Sequence, residues 1–244
     1  MSVSIFCDFD ATISVEDVGD ALFKNFGDFY TYWNEYSEGK YNVRELNKKL
    51  CGSLRSNLTY EEITDFAKEM PIDFYFVQFL EYCNQKQFNF TVVSDGYDAY
   101  INPIFEFNKI ADYPIYCNSL KKNENGFEAI FYGAVEYCYE KNCYEKNSCT
   151  TASCKRNVVL NNSAEKDIIV YIGDGHTDFC AAEHSDIIFA KSKLATYCNE
   201  NKIPHHPFKS FLDIKRILEN YFNTGKLKQR NQSAMKRKSA FETE

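Results

Sequence analysis

No run of apolar residues in this chain approaches the roughly 18 that a membrane-spanning helix needs. The first residues lack a basic stretch followed by an apolar segment and a small-residue cleavage site, so no export signal is read there. Met1 runs almost directly into an apolar segment, and a cytoplasmic protein is the expectation. Internal repeats are absent, which argues against a repeat array. A positive balance is absent too: the net charge is -7. It is uneven, because Lys226 to Glu244 carries six basic and two acidic residues, leaving the body strongly acidic. An acidic body argues against broad nucleic-acid binding, and no membrane or nucleic-acid partner is expected. The tail contains Lys236-Arg237-Lys238 but no apolar periodicity. Residues 225–244 therefore read as a basic, solvated and disordered end.

Ten cysteines are present, but they carry no disulfide framework. Cys7, Cys51, Cys83, Cys117, Cys180 and Cys198 are scattered among apolar or helical patterns, as reduced core cysteines are. Cys138, Cys143, Cys149 and Cys154 cluster in one stretch and could bind zinc as four thiolates. They lack the tight Cys-x2-Cys knuckle, so reduced loop cysteines are the default.

What is present is enough apolar residue, 44% of 244, to bury a sizeable core. Short apolar runs recur at Val3–Phe9, Phe88–Ser94, Pro114–Cys117, Asp167–Ile172 and Ile187–Ala190, separated by helical patterns. Runs of this kind suggest parallel strands covered on both faces. The expected fold is α/β, a doubly wound, mostly parallel, Rossmann-like sheet. The interval from Val15 to Gln87 is too long for one crossover. Val15, Val18, Leu22 and Phe26 share one helical face, and Val43, Leu46, Leu50 and Leu54 share another. Thr59 and Glu62 form a capping box, and Asp73 could cap a further helix. A small helical cap inserted after the first strand follows: core 1–14 and 72–224, cap 15–71. Asn123–Gly126 before the β-like Phe127–Tyr132 signals a hairpin.

Four features fall at strand ends or helix starts, where an open α/β sheet places its ligand. The first is Asp8-x-Asp10-x-Thr12, two carboxylates able to divide attack and proton transfer. The second is Ser94-Asp95-Gly96, a turn whose hydroxyl and backbone N–H groups suit phosphate oxygens. The third is Lys155, opening the helical run Lys155–Asn161 and able to reach an anion. The fourth is Gly173-Asp174-Gly175-His176-Thr177-Asp178, whose grouped hard oxygens suit Mg²⁺. Each alone has an ordinary reading as a turn, a cap or a surface lysine. Their joint order does not.

In that order the motifs resemble the haloacid dehalogenase superfamily of aspartate-nucleophile phosphatases, over about Val3 to Phe222. A helical insert after the first motif marks the phosphoserine phosphatase-like branch. Ile115-Tyr116-Cys117-Asn118, the loop into Cys154-Lys155, and Gly173-Asp174 with Thr177-Asp178 resemble the methionine-salvage phosphatases of that branch. Ala11 stands where glycine is usual, and Asp95 follows Ser94 where glycine is typical.

The resemblance implies a Mg²⁺-dependent phosphomonoesterase for a small phosphorylated metabolite. Asp8 would be the nucleophile and Asp10 the proton carrier, with Lys155 charge-stabilising. Ser94, Asp95 and Gly96 would bind phosphate. Mg²⁺ would rest on Asp8, the backbone carbonyl of Asp10, and Asp174, with Asp178 as ligand or support. Thr12 would order the first loop, and His176 could contact substrate. Asp17 matches a substrate-contacting acid of the branch, or is simply an acid at a helix start. The aromatic run Phe29–Trp33 either lines an apolar pocket or forms cap core. Phosphoserine, phosphoethanolamine or phosphocholine are the alternative substrates, given Asp17, Asp20 and Asp28.

Overall fold

The computed structural model describes residues 2–111, 113–132 and 151–242. Cys138, Cys143 and Cys149, and with them the zinc alternative, lie outside the described residues. Among the described residues no helix is long and apolar enough to cross a membrane.

Seven strands form one sheet in the order β4-β3-β2-β1-β5-β6-β7. They are β1 (Val3–Cys7), β2 (Asn89–Tyr97), β3 (Ile115–Asn123), β4 (Gly126–Ile130), β5 (Ile168–Gly173), β6 (Ile187–Ala190) and β7 (His206–Pro207). All neighbours pair in parallel except β3 and β4, the hairpin expected at Asn123–Gly126. The expected mostly parallel α/β sheet is what is found. Every residue of β1, β5 and β6 is buried, because helices cover both faces. Ile5, Cys7, Val170 and Ile172 pack into one core, and Phe6, Ile169 and Tyr171 into the other. That alternation is the period of two of a strand. The larger core is aromatic, with Phe76, Phe79, Phe90, Phe105 and Phe211 in mutual contact.

Four helices follow β1: α1 (Val18–Phe26), α2 (Phe29–Ser37), α3 (Val43–Ser53) and α4 (Tyr60–Lys68). The chain leaves and re-enters the sheet layer side by side, through a bridge of Ser14 with Ile72 and the bond from Val15 N–H to the Pro71 carbonyl at 2.9 Å. The Thr59–Glu62 capping box opens α4. Leu46, Leu50 and Leu54 are buried as the stripe required, but Val15 is 58% exposed. Asp17 caps α1 instead, so the helix starts three residues after Val15.

The remaining α-helices among the described residues are α5 (Phe76–Gln85), α6 (Asp98–Phe107), α7 (Lys155–Asn161), α8 (Phe179–Glu183), α9 (Ser192–Glu200), α10 (Phe211–Asn223) and α11 (Asn231–Glu242). Asp73 does not cap α5, whose N-cap position is Tyr75. Its Oδ1 accepts from the N–H groups of Tyr75 and Phe211, tying α5 to the start of α10.

The expectation of a disordered basic tail is corrected by α11. The tail docks through specific polar groups rather than an apolar stripe, which is why periodicity missed it. Arg237 pairs with Asp186 at 3.1 Å and donates to the His184 carbonyl at 2.7 Å. Ser233 donates to Asp186 at 2.6 Å, and Arg230 donates to the carbonyls of Glu183 and Ser185. Those carbonyls close the C-terminal end of α8, which has too few partners of its own.

Candidate active site

The strand order reverses at β1: the chain fills one side with β2 to β4 and the other with β5 to β7. A crevice opens at the carboxyl ends of strands at such a switch point. Cys7 pairs with Ile172 in register, and the Asp8 N–H donates to the Ile172 carbonyl at 2.9 Å. Asp8 and Asp174 are thereby placed side by side, one residue beyond each paired strand position or two.

Lys155 is the first residue of α7 and only 2% exposed. Its Nζ lies 2.7 Å from Asp8 Oδ1 and 2.8 Å from Asp178 Oδ1. Asp8 Oδ1 also accepts from the Phe9 N–H at 2.7 Å. Asp178 is saturated: Oδ1 accepts from Tyr171 Oη at 2.7 Å, and Oδ2 from the N–H groups of Asp174 and Gly175 at 2.9 Å each. A Cβ on Gly173 would lie 2.4 Å from Asp178 Oδ2, so only glycine lets this carboxylate turn back under the loop.

Asp8, Asp174 and Asp178 each bring an oxygen within 4.8 Å of the others. One ammonium cannot balance three clustered carboxylates. Burial pushes Asp8 well above the usual carboxylate range, with Asp178 adding to the rise and Lys155 opposing it. Asp174 is raised to about 6 by burial and then by Asp178. Hard oxygens under unbalanced negative charge are a donor set that fits Mg²⁺. Since Asp178 already accepts from the protein at both oxygens, it serves better as support than as a direct ligand.

Asp10 has different surroundings. Its Oδ1 accepts from the Val18 N–H at 2.9 Å and the Gly19 N–H at 3.4 Å, at the start of α1. Its Oδ2 accepts from Tyr100 Oη at 2.7 Å. Burial raises its pKa, while these hydrogen bonds oppose the rise. Just after Asp10 the chain turns sharply, and Ala11 takes a left-handed φ of 51°. That conformation favours glycine and costs an alanine about 1–2 kcal/mol.

A cavity of about 700 Å³ opens over these groups, lined by Asp8, Asp10, Asp17, Lys155, Asp174 and His176. Asp95 and Gly96 also line it, while Ser94 and Asp178 sit behind. Ser94 Oγ accepts from the Gly96 N–H at 3.0 Å within β2, whose register with β3 is irregular between Val93 and Tyr97. The expected Ser-x-Gly turn is thus a distorted strand end. Both Asp95 oxygens are taken, by the N–H groups of Ala152 at 2.7 Å and Ser153 at 2.8 Å. The acid beside Ser94 builds the loop that delivers Lys155. Thr12 Oγ1 donates to Asp174 Oδ1 at 3.4 Å and so joins the first motif to the fourth.

The opposite wall comes from the helices after β1: Phe23 of α1, Trp33 and Tyr36 of α2, and Val43, Leu46 and Leu50 of α3. From the aromatic run only Trp33 reaches the cavity, with Phe29 stacked on it at 5.5 Å. Asp17 Oδ1 accepts from the Asp20 N–H at 2.7 Å, so it caps α1 and faces the cavity at once. Asp17 is solvent-exposed where it faces the cavity, although protein atoms crowd around its carboxyl. Desolvation raises it well above the usual range, followed by Asp10 and Asp20. Tyr100 and Tyr97 escaped the sequence reading, because a tyrosine at or just past a strand end carries no motif signal. Tyr97 Oη donates to Asn47 of α3 at 2.7 Å, bridging β2 to the apolar wall.

A family profile described as Putative Phosphatase matches residues 3–209. The 2-hydroxy-3-keto-5-methylthiopentenyl-1-phosphate phosphatase of Brevibacillus brevis is 30% identical over 219 residues, covering 88% of this chain and 94% of that protein. The protein of the same name from Bacillus cytotoxicus is 28% identical over 221 residues, covering 90% and 97%. Among solved structures, a substrate-bound phosphoserine phosphatase complex aligns with a TM-score of 0.63 at 18% identity, covering 90% of this chain and 98% of that one. A phospho-aspartyl intermediate analogue of phosphoserine phosphatase aligns at 0.61 and 19%, with the same coverages. At such identity these two establish the fold alone. The chain belongs to the Putative Phosphatase family and is a phosphatase, and it shares its fold with the phosphoserine phosphatase structures.

Proposed function

We propose that this member of the phosphatase family hydrolyses a small phosphorylated metabolite through an aspartyl-phosphate on Asp8, with Mg²⁺ as cofactor. The observation that carries the reading is the separation of the two motif acids. Asp8 is held by Lys155 in the acid cluster, and Asp10 is held apart by Val18 and Tyr100. Uncatalysed phosphate-monoester hydrolysis calls for up to ~10²¹-fold acceleration, beyond what a single group supplies. Divided labour is the chemical answer. An Asp8 oxygen attacks phosphorus, and Asp10 protonates the leaving oxygen. Asp10 then takes a proton from the water that releases phosphate.

Asp8, Asp174 and the Asp10 carbonyl would hold Mg²⁺, with Asp178 orienting Lys155 and the Asp174 loop. When bound, the ion offsets repulsion between nucleophile and phosphate. Lys155 and the backbone amides around Gly96 would stabilise the equatorial oxygens as charge shifts. Ser94 would act from behind, its Oγ accepting the Gly96 N–H and holding this strand end, so that the amides offered to phosphate are the neighbouring ones.

The helices of residues 15–71 would act as a cap over the core of 1–14 and 72–224, excluding water and choosing the leaving group. The apolar wall of Trp33, Val43, Leu46 and Leu50 suits a leaving group with an apolar end. The curated relatives carry the name of a methylthiopentenyl phosphate phosphatase, and that class of substrate fits such a wall. A cytoplasmic setting accompanies this reading, supported by free cysteines at Cys7, Cys51, Cys83, Cys117 and Cys198. Asp17 and Asp20 on the same cavity favour a second reading, in which a cationic head group such as that of phosphoethanolamine is taken.

Phosphate release from a panel of phosphorylated metabolites, with Mg²⁺ and with EDTA, tests both. Asp8→Asn should abolish turnover and EDTA should suppress it. Full activity of the Asn variant in a clean preparation would refute the aspartyl-phosphate route.

A further inference from the structure

Asp10 is gripped by two parts of the molecule. Tyr100, in the first turn of α6 and wholly buried, donates from Oη to Asp10 Oδ2 at 2.7 Å. The first turn of α1 donates to the other oxygen through the Val18 N–H. Space for the Tyr100 bond depends on two missing side chains. A Cβ on Gly96 would lie 2.0 Å from Tyr100 Oη and 2.4 Å from Asp10 Oδ2, and one on Gly19 would lie 3.1 Å from the same hydroxyl. The ring is fixed in turn by Tyr97, edge-on with centroids 6.4 Å apart, and by Phe9 at 6.1 Å. A buried hydroxyl aimed at a reacting acid, in a cleft kept open by two glycines, is more than core packing requires.

We propose that Tyr100 is a positioning residue for ester cleavage: its hydroxyl orients Asp10 and holds the carboxylate that forms as the proton leaves. The inference rests on the division of labour between Asp8 and Asp10 proposed above. In the first step the bond from phosphorus to the leaving oxygen breaks as an Asp8 oxygen bonds phosphorus. The leaving oxygen takes the Asp10 proton. In the second step water attacks phosphorus, Asp10 regains a proton from that water, and the Asp8 oxygen departs. A donor hydrogen bond is stronger to a carboxylate than to a carboxylic acid. The Tyr100 bond therefore tightens as proton transfer proceeds, and only interactions that tighten in the transition state accelerate the step.

The test separates this role from simple packing. An aryl phosphate leaves readily without a proton, whereas an alkyl phosphate needs one. In Tyr100→Phe, kcat/KM for n-butyl phosphate should fall on the order of tenfold further than for p-nitrophenyl phosphate, within the range that acid catalysis supplies. In an Asp10→Asn background the same change should add little. Equal losses on both esters, or no loss on the alkyl ester, would overturn the inference. Gly19→Ala offers a second variant that crowds the hydroxyl without deleting it. It should show the same ester dependence at smaller size, and a loss independent of the ester would count against Tyr100. If Asp8→Asn retains turnover, the proposed function fails. If Asp8→Asn is dead and Tyr100→Phe treats both esters alike, only the Tyr100 inference fails.

Discussion

The Nζ of Lys155 lies 2.7 Å from Asp8 Oδ1, and both groups are almost wholly buried. Burying two ions is costly, and their attraction repays it only with good geometry and further hydrogen bonds. Asp178 supplies those by taking a second face of the ammonium. The trio fixes the Lys155 ammonium at the floor of the cavity, where a phosphate would arrive, within a cluster that stays net negative until a cation joins it.

Lys155→Met keeps the length of the side chain and removes the charge. Turnover should drop on the order of 10²–10³-fold, as when a charge-stabilising donor is lost elsewhere. Asp8 and Asp178 would be left facing each other, so without metal the melting temperature should fall. Mg²⁺ should restore part of it by supplying the missing charge. Calorimetric melts with EDTA and with Mg²⁺, run beside steady-state assays, check both outcomes.

Asp95 reaches Lys155 indirectly, through the N–H groups of Ala152 and Ser153. Arg44 of α3 adds to the grip, donating from Nε to the Ala152 carbonyl at 2.7 Å. Asp95→Ala would leave two amides without their acceptor, a loss of about 1–3 kcal/mol per buried group. Lys155 should lose its placement, and kcat should fall roughly tenfold by the same logic as other misplaced catalytic groups. The fall should be equal for aryl and alkyl esters, because Asp10 is untouched. A drop confined to the alkyl ester would contradict the loop-holding role.

The sheet was legible because fully buried parallel strands write themselves as unbroken apolar runs, as in Ile168–Ile172. The acid cluster was legible because its residues stand at strand ends in a recognisable order. Three things were not legible, each for a physical reason. Tyr100 finds Asp10 across a sequence gap of 90 residues, and a single hydrogen bond leaves no periodic trace. The Asp95 side chain holds a loop 57 residues on, which its place beside Ser94 does not announce. The tail helix buries arginine and serine rather than leucine, so an amphipathic test passes over it.

The tail offers a direct measurement. Arg237 and Asp186 form a buried pair, 6% and 0% exposed at the side chains. Removing one partner of such a pair typically costs about 3–5 kcal/mol. Asp186 keeps donors from Ile169, Arg230 and Ser233, so Arg237→Ala should fall toward the lower end of that range. Urea unfolding of the full chain would report the loss. Turnover of the folded variant should remain close to the parent, because none of the tail residues lines the cavity.

His184 makes the same region sensitive to acid. It is 2% exposed, its Nδ1 lies 2.7 Å from the Cys180 carbonyl, and its own carbonyl accepts from Arg237. Burial lowers its pKa to about 4, and the charge of Arg156 adds to that, while the Cys180 bond opposes it. In the unfolded chain the ring titrates near 6.5. Between those two values the unfolded state binds the proton and the folded state does not. Stability from this group is therefore complete above about pH 6.5 and is lost as the pH falls toward 4. The gap corresponds to an upper limit of about 3 kcal/mol. Asp8 and Asp174 pull the other way, since their raised pKa values favour the folded state at lower pH. A comparison with His184→Asn isolates the histidine, as asparagine can donate to the Cys180 carbonyl without titrating. Unfolding free energies measured from pH 7.5 to pH 4.5 should decline more steeply in the parent than in the variant. Parallel curves would mean that the ring is protonated in the folded state and that the tail dock does not exclude the charge.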